Sequence, residues 1–197
     1  MNPRHVRKPR PPLDQAKLDE LALSYVGRFA TTRAKLASYL QRKLRERGWT
    51  GAGEDGAGED SAGRTNVAAL VERFDRSGLV DDGAYAMAKA ETLTRRGYGK
   101  RRLAVALRSA GVNDEAGAPA LDHAEREAAS AALRFAERRR FGPYAVSVPS
   151  DARDRSKLRD KQLAAMMRAG HGLTLALTIL RLEPGAIPDP GELMSGG

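Results

Sequence analysis

G-K-R-R-L-A-V-A-L-R-S-A-G, from Gly99 to Gly111, reads as one short helix bounded by its own breakers. Leu103 and Leu107 stand one turn apart, with Ala104, Val105 and Ala106 between them, and a glycine lies just outside each end. The pattern recurs on both sides of this stretch. Leu36, Leu40 and Leu44 form a stripe before Gly48, and Met166 stands four residues before Gly170, although Gln162 breaks the stripe there. Helices of this length are marginal alone, so each must bury its face on neighbours. Repetition of such units predicts a tandem helical array.

Working outward, most of the chain follows the same helical spacing. Leu18, Leu21, Tyr25 and Phe29 make one face, with Asp14 placed to cap it, and Thr31 offers the next N-cap. Val67, Leu70, Val71 and Phe74 make another face, ended by Gly78. Asp81 or Asp82 starts a segment with Ala84, Tyr85 and Ala88 inward. Asn113 to Arg140 is alanine-rich, with Pro119 and Gly117 interrupting its first part. A loop with two prolines spans Phe141 to Ser150. Leu158, Leu163 and Met166 follow, then Leu175, Ile179 and Leu182 before Pro184. No stretch alternates at period two, alanines number 33 and aromatics only 5%. The fold class is therefore all-α. Three segments offer little to pack: a basic, proline-rich arm at 1–12, a duplicated acidic GAGED insert at 51–63, and a Pro/Gly tail at 184–197.

Composition excludes several functions. The 197 residues contain no cysteine, which removes disulfides, thiolate zinc sites and cysteine nucleophiles and fits the reducing cytoplasm. No apolar run is long enough to cross a membrane, and the N-terminus has no signal-like core. GAGEDG at Gly51 matches a dinucleotide fingerprint but follows a charged helix rather than a strand. Gly97-Tyr98-Gly99-Lys100 ends like a phosphate loop, yet Arg101 stands where the magnesium-binding hydroxyl belongs. His5, His123 and His171 are scattered, and His171, just after a helix-ending glycine, fits a partner for a helix dipole. We therefore expect no catalytic residue, no metal and no cofactor.

The net charge of +9 points instead to an anionic partner. Arginines outnumber lysines 26 to 8, which favours forked contacts with phosphate or carboxylate. One cluster holds Arg42, Lys43, Arg45 and Arg47, and another Arg134, Arg138, Arg139 and Arg140. A further one, Arg153 to Lys161, is diluted by Asp154 and Asp160. The strongest runs from Arg95 and Arg96 through Lys100, Arg101 and Arg102 to Arg108 without a single acid. Its three middle cations fall in the first turn of a helix, where the dipole penalises each by about 0.3–1 kcal/mol. An anion arriving there would meet free N–H groups and three cations together. Trp49, Tyr98 and Tyr144 lie beside basic stretches, but Trp49 fits better as packing at a helix end.

Several segments together resemble the RecX family of bacterial RecA regulators. They are A-L-S-Y-V-x-R-F-x-T-T-R-A-K-L from Ala22, K-L-R-E-R-G-W from Lys43, V-E-R-F-D-R-S-G-L-V-D-D from Val71, and R-R-G-Y-G-K-R-R-L from Arg95. L-R-S-A-G-V from Leu107 extends the likeness. R-R-R-F-G-P-Y from Arg138 and L-A-A-M-M-R-A-G-H from Leu163 are similar to the third unit of alphaproteobacterial members. The resemblance implies an elongated array of three three-helix repeats, here near 13–77, 78–121 and 122–183. It implies no catalytic residues and binding in the groove of the RecA–DNA filament. Inhibition of strand exchange, ATP hydrolysis and RecA-stimulated LexA cleavage would follow. A cytoplasmic monomer with RecA filament as partner, and with possible direct contact to single- or double-stranded DNA, is the expectation. A free-standing helical protein acting on naked duplex is the alternative.

Overall fold

The structure, a computed structural model, describes residues 11–50 and 59–195, which fall into two compact units divided between Asp82 and Gly83. The first ten residues and 51–58, parts of the expected arm and insert, lie outside the described residues. In the first unit, α1 (Gln15–Val26) begins where the Asp14 carboxylate accepts the Lys17 N–H at 2.8 Å. Helix α2 (Arg33–Arg47) is capped by Thr32, whose hydroxyl accepts the Lys35 N–H at 3.2 Å. The cap falls one residue after the expected Thr31, whose own hydroxyl is buried with no hydrogen-bond partner among the described residues. Leu36, Leu40 and Leu44 of α2 face Leu18 and Ala22 of α1 and Val67, Leu70, Val71 and Phe74 of α3 (Glu59–Arg76) in one buried core. Gly48 ends α2 at φ 76°, a conformation glycine adopts without strain. Trp49 then turns into the core, and Leu13 closes it by donating to the Gly48 carbonyl and accepting from Thr50, both at 2.9 Å. Helix α3 starts inside the expected insert, and Gly63 within it packs directly on the Leu44 side chain.

The second unit holds two buried clusters. The first of them draws on α4 (Asp82–Arg95), α5 (Lys100–Ser109) and α6 (Asp114–Arg126). Helix α4 buries Ala86, Ala90 and Leu93, whereas Ala84 and Ala88, expected inward, are exposed. Alanine occupies every second position there, so the sequence carries no contrast from which to read the phase. Helix α6 continues through Pro119 because Pro119 and the Glu115 carbonyl it deprives of a donor are on the exposed side. Asn113 caps it, accepting the Ala116 N–H at 2.8 Å. Gly117 is buried against Leu107 and Val112, so it serves packing rather than ending the helix. The helix runs past 121, carrying Ala124 into this cluster before α7 (Ala128–Arg139) begins.

Helices α7, α8 (Ala152–Ala169) and α9 (Leu173–Arg181) bury the remaining cluster around Phe135, Met166 and Ile179. The expected tail is not featureless. Pro190 to Ser195 form α10, the Asp189 carboxylate accepts the Gly191 N–H at 2.7 Å, and Leu193 packs on the third cluster. Among the described residues no strand occurs, as the absence of period-two alternation requires.

Candidate functional site

The turn between α4 and α5 positions the most cationic surface. Gly97 takes φ 74° there, and a Cβ on it would lie 2.9 Å from the Phe135 backbone nitrogen, so only glycine lets α7 approach. Tyr98 is half buried beside Phe135, their rings 6.5 Å apart. Three guanidinium groups gather on the Tyr98 ring: Arg102 at 4.6 Å, Arg96 at 5.7 Å and Arg138 at 5.8 Å from its centroid. Arg138 also donates to the Arg96 carbonyl at 2.6 Å, and Arg138 and Arg139 lie 5.5 and 5.7 Å from the Phe135 ring. Residues 42 positions apart thus share one aromatic anchor. Exposed cation–ring contacts contribute roughly 0.5–1 kcal/mol each. Among the described residues Arg96, Arg102 and Arg138 form no ion pair, so three cations share one ring with no carboxylate to answer their charge.

The start of α5 behaves differently from expectation. Lys100, Arg101 and Arg102 do occupy its first turn, but most of the N–H groups there are already taken. Gly99 donates to the Ala169 carbonyl at 3.0 Å, Arg101 to the Gly170 carbonyl at 3.2 Å, and Arg102 to the Gly99 carbonyl at 3.1 Å. Gly99 and Gly170 meet backbone to backbone, closer than any side chain would allow. With Gly170 at φ 95°, the end of α8 therefore caps α5 itself. An anion here would meet mainly side chains, since the N–H groups of Gly99, Arg101 and Arg102 already have acceptors. Lys100 is also spoken for, its Nζ 3.1 Å from Glu125 Oε2.

His171 follows directly and is almost fully buried. Burial pushes its pKa down to about 4, against the smaller upward effect of the Gly97 carbonyl. It is thus a neutral ring at pH 7, not the charged dipole partner the sequence suggested. Its Nε2 faces the Gly97 carbonyl at 3.1 Å, so that nitrogen carries the hydrogen and donates. The residue ties the α8–α9 turn to the α4–α5 turn.

The other sequence candidates divide. Arg95, Arg108 and Arg140 are exposed, Arg140 at φ 56° where it ends α7. In the first unit Lys43 pairs with Glu46 at 2.6 Å and Arg42 with the same carboxylate at 3.7 Å. Arg47 donates to the Pro11 carbonyl at 2.8 Å, a structural contact, and Arg45 is exposed. Sequence reasoning missed Tyr39, which lies under Arg42 and Lys43. The spacing of three and four residues on one helix was the available signal. Among the described residues no group of three or more His, Asp or Glu could hold a metal ion, and no helix is long and apolar enough to cross a membrane.

This arrangement has relatives. Residues 81–121, which span most of α4 to α6 and hold Arg95 to Arg108, match the model of the RecX second three-helix domain. The Regulatory protein RecX of Myxococcus xanthus is 33% identical over 169 residues, covering 85% of this chain and 86% of that protein. The chain belongs to the RecX family. The crystal structure of RecX from Lactobacillus salivarius has the same fold at a TM-score of 0.57 and 17% identity, covering 85% of this chain and 94% of that one. RecX membership thus places the chain in a family of regulatory proteins.

Proposed function

We propose that this RecX-family chain is a non-enzymatic, monomeric cytoplasmic regulator of the RecA recombinase. It binds the groove of the RecA–DNA filament through basic helical surfaces and inhibits strand exchange, ATP hydrolysis and LexA cleavage. The observation that carries the reading is the gathering of Arg96, Arg102 and Arg138 on Tyr98 with no ion-pair partner among the described residues. Such a surface fits a phosphate backbone or a row of carboxylates. Arg95, Lys100, Arg101, Arg108, Arg139 and Arg140 flank it along the chain, and Arg42, Lys43, Arg45 and Arg47 supply a second basic surface. The three buried clusters, one for each successive set of three helices, support an array of three repeats near 13–77, 78–121 and 122–183.

RecA ATPase on single-stranded DNA, with and without the protein, tests this directly. Wild type is expected to suppress hydrolysis. Changing Lys100, Arg101 and Arg102 together to Ala is expected to raise the concentration needed by about tenfold while helical circular dichroism stays the same. Unchanged potency would remove this surface from the reading. A duplex-coating protein would instead bind naked DNA as tightly as the filament.

A further inference from the structure

The first unit carries an aromatic face beside the basic surface of Arg42 and Lys43. Tyr25, in the last turn of α1, stacks on Tyr39 of α2 with ring centroids 4.2 Å apart and planes 15° from parallel. Phe29, on the turn after α1, leans on Tyr25 at 5.4 Å. Tyr25 and Tyr39 are half buried and seal the edge of the first core. Phe29 has no place in that core and is 57% exposed, and Leu23 nearby in the chain is 53% exposed. The sequence placed Phe29 on the inward face of the first helix, but α1 stops at Val26 and the ring is left on the surface.

Cations border this platform. Arg42 and Lys43 lie 5.6 and 5.9 Å from the Tyr39 ring, and exposed Arg28 precedes Phe29 in the chain. The Glu46 carboxylate answers both Arg42 and Lys43, so it leaves the pair with net positive charge. An exposed ring leaning on a stacked tyrosine pair, with cations over Tyr39, matches a polymer that alternates flat apolar faces with negative charges. Duplex DNA hides its base faces, and an acidic peptide would meet this face only where an apolar side chain flanks its carboxylates, whereas every unpaired nucleotide brings a flat face beside a phosphate. We propose that this face binds single-stranded DNA: an unpaired base stacks on Phe29, and Arg28, Arg42 and Lys43 take the adjoining phosphates. Choosing DNA over RNA rests on the RecA reading above; the stacking and charge do not.

Fluorescence anisotropy with the full chain and labelled (dT)20 tests this without RecA, so its failure leaves the filament reading standing. Phe29→Leu keeps the apolar bulk but removes the ring, and is expected to weaken binding by about tenfold. Phe29→Trp is expected to retain binding, and its fluorescence should quench as (dT)20 is added, over the constant signal of buried Trp49. Arg42→Gln is expected to flatten the log–log salt slope by about 0.7. Wild-type affinity in Phe29→Leu, equal losses on single-stranded and duplex DNA, or no binding of (dT)20 by wild type at low salt would each overturn the proposal. Tighter binding to (rU)20 than to (dT)20 would overturn the assignment to DNA.

Discussion

His171 shows how one buried side chain joins two turns and sets a pH limit. Its imidazole is neutral in the folded chain, with a pKa near 4 against an ordinary value of 6.5, because burial penalises the charged ring. The unfolded chain takes up the proton as pH falls below 6.5, whereas the folded chain does so only near 4. Stability is therefore full above pH 6.5 and lost progressively down to about pH 4, by about 3 kcal/mol in all for this group. Urea denaturation at pH 7 and pH 4.5 measures the slope. The same pair of measurements on His171→Gln, which keeps a donor for the Gly97 carbonyl, should show a shallower one. An equal slope in both proteins would mean that His171 does not set it.

Helices α5 and α6 sit side by side in the sequence and are built to opposite electrostatic rules. Asn113 caps α6 and Asp114 and Glu115 occupy its first turn, where the dipole favours them. Helix α5 starts with Lys100, Arg101 and Arg102 and has no side-chain cap. It tolerates them because the Gly170 carbonyl supplies the missing acceptor and Glu125 answers Lys100. Arg101→Glu should therefore stabilise the fold by about 0.5 kcal/mol, read as a higher melting temperature, while weakening inhibition of RecA. A variant that melts higher and inhibits as well as wild type would show that the cation is not there for docking. The stripe of Leu36, Leu40 and Leu44, like the Leu103–Leu107 pair, was legible because leucines contrast with charged neighbours. The phase of α4 was not, because its alanines offer no such contrast. Helix α10 was hidden by its glycine and prolines, although an Asp-Pro start is itself a helix signal.

Across the whole molecule, a charge of +9 and a calculated isoelectric point near 10.2 make any docking on a polyanion sensitive to salt. Inhibition of RecA ATPase should need at least about tenfold more protein at 200 mM salt than at 50 mM. A salt-independent dose response would point to apolar contacts instead. The residue types that make the surface basic, the absence of thiol chemistry and the helix-ending glycines at 48, 111 and 170 were fixed by the order of amino acids alone. Helical periodicity and charge are local properties, and local properties survive in a one-dimensional reading. Which cations meet was decided only in three dimensions. Arg138 reaches Tyr98 because Gly97 has no side chain to hold α7 away, and the N–H groups of Gly99 and Arg101 are paired at the start of α5 because Gly99 and Gly170 let two backbones touch. Both depend on approaches between segments dozens of residues apart, which spacing along a chain does not encode.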